Sequence, residues 1–289
     1  MKRLAYLALT AAGLFWGTGF ALGKVALRQT DAVHMVLLRL LSAAVVAAPF
    51  ALRNRQARAL FRSPVMWLCG LLYGAAFVIQ FEGLALTTVT FSSLMVGAMP
   101  ALIAIGARLL GDKVSRLSWA GVAAATLGAA LIAGRPAGAG TPLGAALAFG
   151  SLLLFLAWLF LLRRAPRPPD VLAAPAATMI IAALTVLPVV LVVYGPPRLD
   201  LSPVTWTAIL VQGAICTFLA TAAWQFGQAH VGSANAGVFI NIEPLMGSII
   251  GVALFGDHLT AALATGGALI VAGSFTVVWG ERGAPLSVG

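Results

Sequence analysis

The chain reads as an all-α integral membrane protein: ten transmembrane helices arranged as two inverted five-helix repeats. Three observations predict this. Of its 289 residues 61% are apolar and only 9% charged, where a soluble domain carries about 25% charged residues. The apolar residues lie in continuous runs long enough for spanning helices, not in the alternating segments of about ten residues that make a membrane barrel. The basic residues crowd into alternate loops.

The runs are, in order, 4–22, 34–52, 65–86, 91–109, 117–134, 143–162, 171–194, 204–226, 235–255 and 260–279. Each approaches the roughly 20 apolar residues that cross the hydrocarbon core. Met1-Lys2-Arg3 before the first run resembles a secretory leader. The run continues through Trp16-Gly17 without a small-residue cleavage site, so it is read as a retained helix. Ten spans put both termini on one side. That side holds 13 basic residues: Lys2, Arg3, Arg53, Arg55, Arg58, Arg62, Arg108, Lys113, Arg116, Arg163, Arg164, Arg167 and Arg282. The other holds four, Lys24, Arg28, Arg135 and Arg198, and Arg39 falls within a span. The bias places both termini in the cytoplasm of a plasma (inner) membrane. It also accounts for the net charge of +10 without nucleic acid as a partner.

The two halves resemble each other. Gly83, Ala85, Pro100, Gly111-Asp112, Gly121 and Gly128 match Gly227, Ala229, Pro244, Gly256-Asp257, Gly266 and Gly273. The offset is 144 residues up to the proline and 145 after it. Each copy holds five spans, so the second must enter the membrane from the opposite side. The loop at Gly111-Asp112 is flanked by Arg108, Lys113 and Arg116, whereas that at Gly256-Asp257 has no basic neighbour. The organisation expected is a first repeat at 1–134, a linker at 135–142, a second repeat at 143–280 and a short tail at 281–289. Inverted repeats around a central site are the architecture of secondary transporters.

Trp16-Gly17 with Lys24, Arg39, Pro100 before Gly111-Asp112, and Glu243-Pro244 before Gly256-Asp257 resemble the drug/metabolite transporter superfamily, and within it the EamA-type ten-helix exporters. Family members usually carry Glu after the loop glycine, where this chain has Asp twice. The resemblance implies export of small metabolites, often amino acids or related amphipathic compounds.

Ionisable residues inside a membrane are costly and invite a functional reading. Glu243 precedes Pro244, whose ring breaks a backbone bond one turn earlier. It is a candidate for binding a substrate amine or carrying a coupling proton, or for a structural hydrogen bond at the kink. Arg39 and Glu82 fall at similar depth and are expected to form a clamp or gating ion pair. Trp16, Gln80, Trp158 and Asn241 join Glu243 as candidate substrate-binding residues, because a few polar groups in an apolar cavity orient a small ligand. Trp224 and Gln225 lie near a span end, where an interfacial belt is the simpler reading for Trp224. Trp67, Trp119, Trp206 and Trp279 also sit at span ends and are assigned to the belt. Pro100 and Pro244 are candidate hinges or static kinks. Lys24 is expected to meet lipid phosphates or substrate carboxylates, and Asp112 and Asp257 to anchor short turns.

Cys69 and Cys216 fall inside apolar runs with no metal-ligand spacing. No Walker lysine loop, HExxH pair or paired intramembrane aspartates exists, so ATP-driven transport and membrane enzymology lack their groups. No cofactor or metal is expected. The partners implied are a small-molecule substrate, membrane lipid and a coupling proton. The alternative function is a lipid or lipid-intermediate flippase, or an uncoupled facilitator; the basic loops would suit anionic headgroups.

Overall fold

A computed structural model describes residues 1–134, 140–166, 170–231 and 236–280. Arg135, Arg167, Asn235, Arg282, most of the 135–142 linker and the 281–289 tail lie outside the described residues.

The chain is helical throughout, and among the described residues the one β contact is an isolated bridge between Thr87 and Gly140. In order the helices are α1 (Lys2–Ala26), α2 (Ala32–Arg53), α3 (Arg55–Leu60), α4 (Pro64–Ala85), α5 (Val89–Val96), α6 (Met99–Leu109), α7 (Arg116–Gly134), α8 (Pro142–Leu162), α9 (Ala173–Val193) and α10 (Pro203–Gly213). A π-helical segment, Ala214–Leu219, leads into α11 (Ala220–Val231). A 3₁₀ turn, Gly237–Asn241, precedes α12 (Ile242–Phe255), and α13 (Ala261–Gly280) follows. Starts are written locally. Pro64, Pro142 and Pro203 open their helices, where a missing N–H costs nothing. Asp31, Thr88, Thr141 and Ser202 accept backbone N–H bonds as N-caps.

Nine helical stretches among the described residues are long and apolar enough to cross a membrane, with α5–α6 and α10–α11 each counted as one. The apolar part of α7, Arg116–Ile132, is shorter. The short α3, which hydropathy passes over, lies in the Arg-rich stretch after α2 and is capped by Asn54.

Cross-chain bonds sort the loops into two sets. On one side His34 Nε2 lies 3.2 Å from the Gly195 carbonyl, the Ser202 amide donates to Gln29 Oε1 at 2.9 Å, and the Thr141 amide donates to the Leu86 carbonyl at 3.0 Å. Here too is Asp31. Its partial burial would raise the carboxyl, but hydrogen bonds from the His34 ring and amide outweigh this and hold it below its ordinary value. On the other side Asn54 Nδ2 donates to Asp170 Oδ2, the Asp170 amide donates to Gln56 Oε1 at 3.0 Å, and Ser118 Oγ donates to the Val277 carbonyl at 3.2 Å. Tyr6, near the chain start, stacks on Phe239 at 5.7 Å on this second side, called below the N-terminal side; the first is the far side.

Membrane helices associate by close packing where small residues let backbones approach. The glycines matched between the halves do this to one another. A Cβ on Gly121 would stand 2.5 Å from the Gly273 carbonyl, and one on Gly273 would stand 2.5 Å from the Gly121 carbonyl. Gly128 and Gly266 meet in the same reciprocal way, at 2.5 and 2.7 Å. The loop glycines Gly111 and Gly256 both have positive φ, 96° and 67°, the left-handed region that admits glycine most readily.

Candidate substrate site

The site is built where both apolar spans containing a matched proline break. The span at 91–109 divides into α5 and α6, with Pro100 the second residue of α6. The span ending at Phe255 divides at the 3₁₀ turn, with Pro244 in the first turn of α12. Helix α1 lies tight against the second break. A Cβ on Gly13 would stand 2.7 Å from Ile242 Cβ, and one on Gly17 would stand 2.7 Å from the Glu243 carbonyl. This contact brings Trp16 beside the break, with its ring 5.4 Å from that of Trp224. Trp224 thus faces a partner inside the bundle, and the belt reading is corrected for it. Trp67, Trp119 and Trp279 are exposed, and the Trp206 and Trp67 indoles donate to the Leu199 and Phe61 carbonyls.

A second wall comes from α4. Tyr73, Phe77 and Phe81 recur every four residues and so share one face. Tyr73 packs against Trp158 at 5.0 Å, and Phe77 against Phe155 at 5.1 Å, which brings α8 in. Gln80 is buried, three residues beyond Phe77 on the same helix.

Arg39 enters from α2, only 3% exposed. Its guanidinium lies 3.9 Å from the Phe77 ring centre and 5.0 Å from that of Phe81, positions of cation–π attraction. Its Nε donates to Thr217 Oγ1 at 2.6 Å. Thr217 is in the π-helical segment, and its hydroxyl also donates to the Gln212 carbonyl five residues back, at 2.8 Å. π-helical turns often mark functional sites. Arg39 does not pair with Glu82: among the described residues the ion pairs are His34–Asp31 and Arg163–Asp112. Similar depth did not bring the two together, because Phe77 and Phe81 occupy the α4 face that Arg39 meets. Glu82, one residue on from Phe81, is turned about 100° away and shares its electrostatic surroundings with Asp31.

Glu243 makes no hydrogen bond or ion pair among the described residues, and its charge acts on Arg39 and Tyr73. Among the described residues, buried polar atoms with no hydrogen-bond partner include Arg39 Nη1, Trp158 Nε1, Gln212 Oε1 and Asn241 Oδ1. Buried polar groups are normally paired, so unpaired ones on the helices around the break suit a site that receives a polar ligand. Sequence reasoning missed Tyr73, Thr217 and Gln212; the only signal was their polarity inside apolar runs. Among the described residues no three His, Cys, Asp or Glu gather to hold a metal, and Cys69 and Cys216 are free thiols.

The two sides differ. On the far side Lys24 Nζ donates to the Leu84 and Thr87 carbonyls at 2.8 and 2.6 Å, capping the end of α4. Asp257 Oδ2 accepts the Thr90 amide at 2.8 Å, capping α5, and Lys24 and Asp257 attract each other. Lys24 is thus engaged by the end of α4, a partner that the sequence did not suggest. On the N-terminal side a narrow crevice of about 10 Å³, room for about one water molecule, is lined by Trp158, Leu162, Ala174, Pro175, Thr178, Met179, Thr221 and Gln225. Asp112 there approaches Arg163 at 3.5 Å with both partly exposed. The Thr221 hydroxyl in the crevice wall donates to the Thr217 carbonyl at 2.7 Å, so the crevice adjoins the π-helical segment that holds Arg39.

Many apolar helices around a small set of buried polar groups define a multi-pass membrane transporter. The EamA-like transporter family matches the chain twice, at residues 3–134 and 142–279. The chain belongs to that family, and it is a transporter, not an enzyme. It is 27% identical over 275 residues to a protein of Pseudomonas aeruginosa named a probable biotin transporter, covering 93% of this chain and 96% of that one. An uncharacterised protein of Haemophilus influenzae is 31% identical over 91 residues, covering 31% of this chain and 71% of that one. A crystal structure at 19% identity shares the fold, with a TM-score of 0.68 over 99% of this chain and all of that one.

Proposed function

We propose that the protein is a secondary transporter of the inner membrane that exports small metabolites, amino acids or related amphipathic compounds, by alternating access. In this reading the chain crosses ten times as two inverted repeats, 1–134 and 143–280, with both termini cytoplasmic. The reciprocal packing of Gly121 with Gly273 and of Gly128 with Gly266 supports the inversion, since two equivalent helices related by a two-fold axis contact each other at matching points. The substrate lies among Trp16, Gln80, Trp158, Asn241 and Glu243, with Arg39 in their midst. Pro100 and Pro244 let the broken spans rock.

The observation that carries the reading is Glu243. It is an acid without a hydrogen bond or ion pair among the described residues, in the first turn of α12 where the apolar run ending at Phe255 breaks. Such a group is too costly to keep for packing alone and suits a proton or a substrate amine. The test is efflux from reconstituted vesicles preloaded with labelled amino acids or biotin, with and without a pH gradient. Efflux accelerated by the gradient is expected. Efflux that follows only the substrate's own gradient would make the protein a facilitator. Lipid movement without metabolite efflux would make it a flippase.

In this reading Lys24 and Asp257, by capping α4 and α5, hold the far side closed. Lys24→Met removes two charge-assisted hydrogen bonds, each worth about 1.5–3 kcal/mol, so far-side opening should rise about tenfold or more. Cys216, against Gly19 of α1, reports on it in a Cys69→Ser background. A membrane-impermeant thiol reagent added on the far side should label Cys216 correspondingly faster. An unchanged rate would remove Lys24 from the closure.

A further inference from the structure

We propose that Arg39 is the anchor for a carboxylate on the transported molecule, so that the substrates are small organic acids with an apolar or aromatic body. The inference rests on the transporter reading above and adds the ligand chemistry.

The first argument is what Arg39 lacks. A guanidinium buried to 3% exposure is expected to pair with a carboxylate that meets its fork in two parallel bonds. No carboxylate among the described residues does so: Arg39 forms no ion pair with them. Its only hydrogen bond among the described residues uses Nε, on the edge, to Thr217, and Nη1 has no partner among them. The rings of Phe77 and Phe81 lower the cost of burying the charge through its face. Stacking leaves the in-plane N–H groups unused. The guanidinium is thus held at its face and one edge, with fork donors left over, which is how an anion receptor is built.

The second argument is what surrounds it. The charged and titratable groups acting on Arg39 are Tyr73, Cys216 and Glu243. Glu243 makes no hydrogen bond to it, so it balances the charge from a distance without filling the fork. Beyond Arg39 the walls are aromatic: Phe77, Phe81 and Tyr73 lead to Trp158 at the N-terminal-side crevice. An acid entering from that side would leave its apolar body against these rings, while the unpaired Trp158 Nε1 offers a second donor.

The test compares acids with their own amides, which keep size and shape but lose the charge. The full-length protein in detergent is heated with 3-phenylpropanoate, phenylalanine or biotin, and with 3-phenylpropanamide, phenylalaninamide or biotinamide, each at millimolar concentration. At least one acid should raise the unfolding temperature, with an apparent affinity about 30-fold or more above that of its amide, as expected for a charge-assisted pair. Arg39→Lys, which keeps the charge and loses the fork, should erase most of that preference. The comparison on the unaltered protein decides the matter even if the variant fails to fold. Acid and amide acting alike, or no acid acting at all, overturns the anchor. Gradient-accelerated efflux of any solute in that event leaves the transporter reading intact. Acids that bind without any efflux would sink the proposed export and keep the anchor.

Discussion

Glu243→Gln should abolish the gradient-driven export proposed above while leaving the protein folded. The side chain keeps its shape and loses only its charge and titration. Because the carboxylate has no hydrogen bond or ion pair among the described residues, neutralising it removes a buried charge without orphaning a partner, so the thermal midpoint should hold or rise. Transport should fall about 30-fold or more, the loss of roughly 2 kcal/mol of charge-dependent interaction. The residual flux should no longer respond to an imposed pH gradient. Glu243→Asp should restore part of the response. Two readings of the residue separate here. If Glu243 were a structural acceptor at the Pro244 break, the Gln variant would lose stability together with transport. The check is the pair of measurements on one preparation, unfolding in detergent and efflux from vesicles.

Gly273→Leu removes folded protein. The Gly273 Cα points at the Gly121 carbonyl and the Ala125 backbone, where even a methyl group would stand 2.5 and 2.7 Å from the nearest atoms. Both neighbours are helix backbone and cannot rotate away. Forcing α7 and α13 apart strands Gly128 and Gly266 as well, about two turns along the same face. Overpacking usually costs about 1–3 kcal/mol, and a clash against two backbones lies at or beyond the top of that range. Monodisperse protein recovered after extraction should fall severalfold. Gly121→Leu should do the same, and the double variant should be little worse than either single one, because the first clash already separates the helices. Leu at Gly150, where an added Cβ meets nothing within 4 Å, is the control and should express normally. Full recovery of the Gly273 variant would show that α7 and α13 do not pack this closely.

Much of the frame was legible along the chain. Apolar run length marks helices that cross a membrane, because the slab sets the length and an unpaired backbone cannot be left in hydrocarbon. The Gly-Asp pairs at 111–112 and 256–257 mark short turns, and the matched glycines mark the repeat. Glu243-Pro244 marks a break. Each of these is local: it depends on residue type and spacing alone. Arg39 and Glu82 show where that kind of reading ends. Depth in the membrane follows from counting residues, but the direction a side chain points depends on which neighbouring helices fill the space around it. Lys24 likewise looked like a surface charge, and it caps α4 because the end of that helix, sixty residues later in the chain, arrives beside it.

By itself, then, the sequence determined a helical membrane protein with its proline positions, its matched glycines and the acid in an apolar run, since these follow from length, composition and local backbone chemistry. Only the tertiary structure decided what Arg39 meets. The hydroxyl that accepts from its Nε lies 178 residues away, on a π turn that no local pattern announced, and helices from both halves must pack before the two are in reach.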